Sequence, residues 1–386
     1  MDKVRAGIIG IGNMGSSHAK GIWAGNIDGM TLSAVADINP SRRQWARDTF
    51  PGVAVFDDAI AMMDSGLVDA VIVATPHYFH PVYVTEALKR DIHALSEKPA
   101  GVYTKAVREV NELAARSKAT YAIMFNQRTN CVYRKMKEIV SSGELGNIRR
   151  VNWLITNWYR SQAYYDSGAW RATWDGEGGG VLMNQCPHNL DLLQWICGMP
   201  ARVHAFVHEG KWHDIEVEDD VTAYLEYPNG ATGLFITSTG DAVGTNRFEI
   251  EMDGGQLVVE NGKIMETKME MTEQEFSRIN KEGFARPKSK TFEVPTDGLD
   301  PEHSEVLRRF AHHILDGEPL VAEGREAING LTLANAMSLS GWLGRAVELP
   351  IDEDLFLSEL NKRRATSRVK TGESRVLDTQ GSYNNK

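Results

Sequence analysis

Glu97-Lys98-Pro99 lies between a glycine-rich run, Gly10-x-Gly12-x-x-Gly15, and the stretch Gly178-Gly179-Gly180-x-Leu182-x-Asn184-x-x-x-His188. An amine, an imidazole and an amide can hold and move a proton at an alcohol oxygen while hydride leaves the same carbon. With an ordinary pKa of ~6.5, the His188 imidazole accepts a hydroxyl proton near neutrality. The Lys98 ammonium, ordinarily at ~10.4, polarises the oxygen unless its site lowers that value. The three stretches suggest redox chemistry on a polyol or sugar. Lys98, His188 and Asn184 are the candidate catalytic residues, and Lys98, Tyr159, Trp170, Asn184 and His188 the candidate substrate contacts.

Hydride chemistry needs a carrier, and the first stretch has the form of a nucleotide site. Gly10 permits a tight turn after a predicted strand, Gly12 lets the backbone approach a pyrophosphate, and Gly15 lets helix and strand pack. Asn13 and Met14 sit in the same loop, where the helix start aims its amides at phosphates. The predicted second strand ends at Asp37, whose carboxylate suits a ribose 2′-hydroxyl and repels a 2′-phosphate, which favours NAD over NADP. Arg42 and Arg43 follow closely and are placed to accommodate a phosphate instead. Asp37 has a competing use as a turn or capping residue before Asn39-Pro40-Ser41. Thr75 and Pro76 end another strand at the carboxyl edge of the sheet, where ligands bind in this architecture. His77 and His80 read as polar residues of a helix start, with His80 kept among the candidate cofactor contacts. Glu97, Lys98, Asn126 and Arg171 complete that set, with Gln127 and Arg128 adjoining. His77 and His80 lack a nearby third ligand, and His204, His208 and His213 lack a carboxylate partner at ligand spacing, so no metal is expected.

Positioning these residues requires a sheet. Short apolar runs at 4–9, 31–36, 70–74, 93–96 and 120–124 alternate with helical segments, the pattern of βαβ units and a doubly wound parallel sheet. After about residue 128 the pattern changes to alternating strands at 151–158, 200–208, 220–227, 231–238, 247–252 and 256–261. Turns such as Pro228-Asn229-Gly230 join them into an open, mostly antiparallel sheet. Helices at 132–141, 186–197, 302–315 and 324–346 accompany it, the last three expected to cover one of its faces. The chain is therefore α/β, with a Rossmann domain over 1–128, an α/β domain for substrate and oligomerisation over 129–360, and a polar tail or arm over 361–386.

With 386 residues and 42% apolar side chains, the chain can fill two cores. Its formal charge of -10 argues against a nucleic-acid partner. Three cysteines without a C-x-x-C pair indicate neither a disulfide framework nor a thiolate metal site, which fits a reducing cytoplasm. Glycines interrupt the first apolar run and no run approaches ~18 residues, so neither a signal peptide nor a membrane span is read.

Four motifs in this order, Gly10-x-Gly12-x-x-Gly15, Ala74-Thr75-Pro76, Glu97-Lys98-Pro99 and Gly178-Gly179-Gly180-x-Leu182-x-Asn184-x-x-x-His188-x-x-Asp191, carry a resemblance to the glucose-fructose oxidoreductase, inositol dehydrogenase and rhizopine-catabolism (Gfo/Idh/MocA) family. The resemblance implies a Rossmann domain, an open-sheet domain that often builds dimers or tetramers, a frequently cis Lys98-Pro99 bond, and Lys98 and His188 as proton carriers. The sequence departs from the family at Asn184, where inositol-type dehydrogenases usually carry aspartate. An amide cannot stabilise an imidazolium as a carboxylate does, which shifts base chemistry toward Lys98 or a water. Asp191, three residues after His188, is the nearest candidate for the missing charge. A wall of Trp158, Tyr159, Arg160, Tyr164, Tyr165, Trp170, Arg171 and Trp174 precedes the glycines and suits sugar stacking, although sheet packing accounts for many such rings. The leading expectation is an NAD-dependent dehydrogenase of a cyclic polyol, sugar or glycoside. The alternatives are a glycosidase using NAD in transient oxidation and elimination, and a non-catalytic regulator that senses NAD(P).

Overall fold

A computed structural model describes residues 2–370 and shows two sheets. The first contains β1 (Val4–Ile9), β2 (Met30–Ala36), β3 (Ala54–Phe56), β4 (Ala70–Val73), β5 (His93–Ser96) and β6 (Tyr121–Ile123). All pair in parallel, in the order β3-β2-β1-β4-β5-β6. Their near-continuous apolar runs follow from burial on both faces, as β4 shows with every residue fully buried. Helices α1 (Asn13–Trp23), α2 (Pro40–Thr49), α3 (Ala59–Asp64), α4 (His80–Leu88) and α5 (Thr104–Ala114) form the crossovers. Strand order reverses between β1 and β4, opening a crevice at their carboxyl ends. Strand β3 was not expected: its three half-buried residues at the sheet edge are too short for a periodic signal.

The second sheet runs β14-β13-β12-β11-β7-β10-β9-β8-β15. Its strands are β7 (Ile148–Ile155), β8 (Arg202–Glu209), β9 (Glu218–Glu226), β10 (Thr232–Ser238), β11 (Asn246–Met252), β12 (Gly255–Glu260), β13 (Lys263–Met269), β14 (Ser289–Val294) and β15 (Val347–Glu348). Among these described strands only β7 and β10 pair in parallel, so the sheet is mostly antiparallel. Register places Ala205, Ala223, Phe235, Trp153, Phe248, Val259, Ile264 and Val294 in one row across eight strands, all buried. At its centre Trp153 stacks on Phe248 with ring centroids 4.1 Å apart. Truncating Trp153 to alanine would cost about 3–5 kcal/mol. Strands β13, β14 and β15 were not expected. β14 has five exposed residues of six, and such polar edge segments lack the apolar alternation that marks a half-buried strand.

The remaining helices are α6 (Cys131–Ser142), α7 (Gln162–Tyr165), α8 (Pro187–Cys197), α9 (Glu273–Ile279), α10 (Glu302–Asp316), α11 (Ala327–Leu343) and α12 (Glu353–Arg364). Helices α8 and α11 cover the buried face of the second sheet. α10 corrects the expectation that it does the same, because its Val306, Leu307, Phe310 and Ala311 join the cluster formed by β1 and α1. An amphipathic helix suits either sheet, and only the tertiary arrangement decides which uncovered face it takes. Residues 361–364 complete α12, and Ser367 and Arg368 then bond Glu216 of the second sheet's own unit, so this stretch lies against the chain. The rest of the expected tail, 371–386, falls outside the described residues.

Candidate active site

The loop after β1 has the features of a dinucleotide cradle. Gly10 holds φ at +85°, and an added Cβ would meet the Ala74 carbonyl at 2.8 Å. A Cβ on Gly15 would overlap the Gly10 carbonyl oxygen, whereas one on Gly12 would meet nothing within 4 Å. Gly12 is thus the exposed approach to the loop, and it begins α1 with no side chain capping the helix's free amides. Asn13 and Met14 line the same first turn, partly exposed. Asp37 Oδ2 accepts the Ile11 amide at 2.8 Å, joining the end of β2 to this loop. Asp37 also serves as a turn residue, its Oδ1 accepting the Asn39 amide at 2.8 Å, while the helix cap is Asn39, which accepts the Ser41 amide. Arg42 reaches the loop as well, donating to the Ile11 carbonyl at 2.8 Å, while Arg43 is folded onto the carbonyls of Asp37 and Ile38.

Buried polar atoms without protein partners gather around the same crevice: Thr75 Oγ1 after β4, Asn126 Oδ1 after β6, and both ring nitrogens of His188. A buried polar group left unpaired is costly, so this set fits a polar cofactor and substrate that supply the missing bonds. Pro76 follows Thr75 at the rim. His80 serves differently from expectation, since its two nitrogens contact the carbonyls of Pro99 at 2.6 Å and Thr75 at 2.7 Å. It braces the ends of β4 and β5 instead of facing the crevice. His77, similarly buried, contacts the Glu177 carbonyl at 3.0 Å.

Lys98 stands at the carboxyl end of β5, before the cis bond to Pro99. Its half-buried ammonium donates to the main-chain carbonyl of Asn184 at 2.9 Å. Burial pushes its pKa down; Glu97 and Glu177 oppose that, and Arg160 and Arg171 reinforce it. Glu97 is itself buried and accepts from His18 of α1 at 2.6 Å. Burial raises the Glu97 carboxyl, but the His18 hydrogen bond and charge prevail and bring it down to about 2. The site thus holds an ionised carboxylate that accepts the Lys98 amide at 3.3 Å and whose charge acts on the lysine.

His188, in the first turn of α8, is 2% exposed. Burial, then the Lys98 and His303 charges, hold it well below the ordinary imidazole value, so it is a neutral base at physiological pH. Asp191 does not supply its missing charge. Its carboxylate is clamped by Arg128 at 2.7 and 2.8 Å, a buried bidentate pair completed by Glu326. Arg128 is likewise committed to that pair and not to a cofactor. At the glycines of 178–180 a Cβ on Gly178 would strike Val102, and one on Gly180 the Glu218 carbonyl. They let the segment before α8 pack closely on the loop after β5 and on the start of β9.

Of the aromatic wall, Tyr165, Trp158 and Trp174 are buried packing, whereas Tyr159 is 46% exposed and Trp170 half-buried, edge-on to His77. Arg171 lies over Trp170 and Tyr164 and donates to the Tyr164 hydroxyl at 2.9 Å, with Glu177 at 4.0 Å. Glu177, 2% exposed, escaped the sequence reading, as did His18 and His303. The only signal for Glu177 was a lone acid directly before three glycines.

Two family descriptions match in succession: "Oxidoreductase family, NAD-binding Rossmann fold" over residues 4–125 and "GFO/IDH/MocA C-terminal domain" over residues 133–258. The chain belongs to the GFO/IDH/MocA oxidoreductase family. It is 24% identical to the myo-inositol 2-dehydrogenase of Thermotoga maritima, over 90% of this chain and 98% of that one. It is 29% identical to the rhizopine catabolism protein MocA of Rhizobium meliloti, over 51% of this chain but only 58% of the relative's length. Among solved structures, the WlbA dehydrogenase of Bordetella pertussis in complex with NADH and UDP-GlcNAcA superposes with a TM-score of 0.75 at 25% identity, covering 91% of this chain and all of that one. Levoglucosan dehydrogenase, in complex with NADH and levoglucosan, shares the fold at a TM-score of 0.73 and 18% identity, covering 90% of this chain and 100% of that one. The chain is an NAD(P)-dependent oxidoreductase with a Rossmann unit and a mostly antiparallel second sheet. No helix among the described residues is long and apolar enough to cross a membrane.

Proposed function

We propose that this oxidoreductase oxidises a secondary hydroxyl of a cyclic polyol, sugar or glycoside with NAD, and reduces the ketone in reverse. The observation that carries this reading is His188: buried, neutral and unpartnered at both nitrogens, beside a lysine of lowered pKa at the carboxyl edge of the sheet. Bound nicotinamide supplies the hydride acceptor. His188 takes the hydroxyl proton, while the Lys98 ammonium stabilises the charge developing on that oxygen. Asn184 hydrogen-bonds a substrate hydroxyl, and Tyr159 and Trp170 offer ring faces to it. Gly10, Gly12, Asn13, Met14 and Gly15 hold the pyrophosphate, Asp37 the adenosine ribose, and Thr75, Pro76, Glu97, Asn126 and Arg171 the remaining length. Asp37 at the glycine loop favours NAD over NADP. The names of the relatives, dehydrogenases of an inositol and of sugars, support the substrate class.

The fold also offers a face for self-association. Phe206, Tyr224 and Leu234 are exposed on the adjacent strands β8, β9 and β10, on the side opposite the core row. A homodimer or homotetramer through this face is the expected state, measured by light scattering, and a cytoplasmic location accords with three free cysteines.

The test is NADH formation across a panel of inositols, aldoses and glycosides. Steady NADH production on at least one free polyol or sugar is expected. Aglycone release without net NADH would replace this reading with elimination chemistry, and no turnover on any member would remove it.

A further inference from the structure

Glu177 and Asn184 form a pair that neither the motif pattern nor the fold requires. Asn184 Nδ2 donates to Glu177 Oε1, and Glu177 Oε2 accepts the Ala172 amide at 2.5 Å. Ala172 carries a Cβ at φ +52°, so the carboxylate holds a strained turn on one side and the amide on the other. An ionised carboxylate only accepts, and the Asn184 amide must therefore present its NH2 to it. With the NH2 committed, Oδ1 of the same planar amide points away from the carboxylate. The same residue's main-chain carbonyl holds Lys98 Nζ at 2.9 Å.

We infer that Glu177 is a positioning residue for the reaction: by binding Asn184 Nδ2 it turns Oδ1 outward as a fixed acceptor for a substrate hydroxyl, and it anchors the segment whose carbonyl aims Lys98. The carboxylate missing from position 184 is thereby moved one residue further from the substrate, and Asn184 conveys its orientation without competing for the proton. Burial raises the Glu177 carboxyl, while Arg171 and the two bonded donors favour its charged form. The other charges sensed by Lys98 are Glu97, Arg160 and Arg171, with His77 and His188 facing it as neutral rings.

The inference rests on the proposed dehydrogenase reading, and a charge swap tests it separately. In Glu177→Gln the new Oε1 accepts from Ala172 and Nε2 donates to Asn184 Oδ1, so Asn184 turns over and presents its NH2 to the substrate in place of Oδ1; in Asn184→Asp two carboxylates meet and must share a proton. In the double variant, Glu177→Gln with Asn184→Asp, the new glutamine accepts from Ala172 through its Oε1 and donates through its Nε2 to the new aspartate, so every partner is restored. Each single change should lower kcat/KM by about 100-fold, the scale of a small misplacement, and the double should recover to within about tenfold of the parent. NADH binding and Tm of the double should match the parent. Asn184→Ala keeps the Ala172 bond, so it should fold and lose turnover to a similar extent.

A second readout needs no substrate: competitive acetylation of Lys98 across pH in the full chain, followed peptide by peptide. Glu177→Gln should shift Lys98 reactivity to lower pH, and the double variant should shift it back. Coincident Lys98 titrations of parent and Glu177→Gln, parent-like kcat/KM in Asn184→Ala, or a folded double no better than the singles would each overturn the inference. Absence of turnover by the parent on the whole panel would instead strike the dehydrogenase reading, with the Lys98 titration still deciding this pair.

Discussion

At Gly12 the first glycine loop leaves room for a ligand, whereas at residues 178–180 the room is already filled by protein. A Cβ on Gly12 meets nothing within 4 Å, while Cβ atoms on Gly178 and Gly180 strike Val102 and the Glu218 main chain. The first loop works through its backbone, with amides at a helix start and a carboxylate at the next strand end. The second works through side chains that it brings together from distant positions: Glu177, Asn184 and His188 meeting Lys98. Two runs that look alike as strings of glycine thus differ in kind, because one shapes a ligand cradle and the other closes a packing interface around a reactive site.

The largest expected effect lies on the side-chain half. Lys98→Met should lower kcat/KM by about 10³-fold with NADH affinity largely retained, as measured by steady-state kinetics and NADH fluorescence titration. Parent-like turnover would detach the second loop from the chemistry. Next come the crowded glycines. Gly15→Ala and Gly180→Ala should each cost about 1–3 kcal/mol in denaturant unfolding, since both place a methyl against main chain that cannot swing away.

A graded effect should follow from Glu218, whose Oε1 accepts the Gly180 and Leu182 amides. Burial raises its pKa to about 8 despite those bonds. A carboxyl raised above its unfolded value of ~4.3 binds its proton more tightly in the folded state. Its contribution to stability is therefore full below that value and declines as pH rises to about 8. Tm should fall over this window in the parent and less in Glu218→Gln; identical pH profiles would show that the carboxyl is ionised in the fold. Smallest of all is the structural effect of Gly12→Ala, within about 0.5 kcal/mol in the free protein. Its NADH affinity should nonetheless drop, which distinguishes a loop shaped for a ligand from one shaped for packing.

Legibility from sequence followed the same division. The parallel strands were readable because burial on both faces makes them continuous apolar runs, and β1 and β5 match the expected spans 4–9 and 93–96. Strands β3, β14 and β15 were not readable, being short or polar at sheet edges where one face or more meets water. The pairing of Asp191 with Arg128 was also invisible: helical spacing puts Asp191 one turn from His188, but a guanidinium 63 positions away is the partner that binds it.

By itself, the sequence determined the nucleotide loop, five of the six parallel strands, the family and the presence of Lys98 and His188, because each rests on local spacing or on a run whose burial dictates its composition. Only the tertiary structure decided which sheet α10 covers, that His80 braces the loops after β4 and β5, and that Glu177 stands behind Asn184. Those outcomes depend on which groups remain unsatisfied once the chain has folded, and a buried donor or acceptor takes the partner that packing brings to it, wherever that partner lies in the sequence.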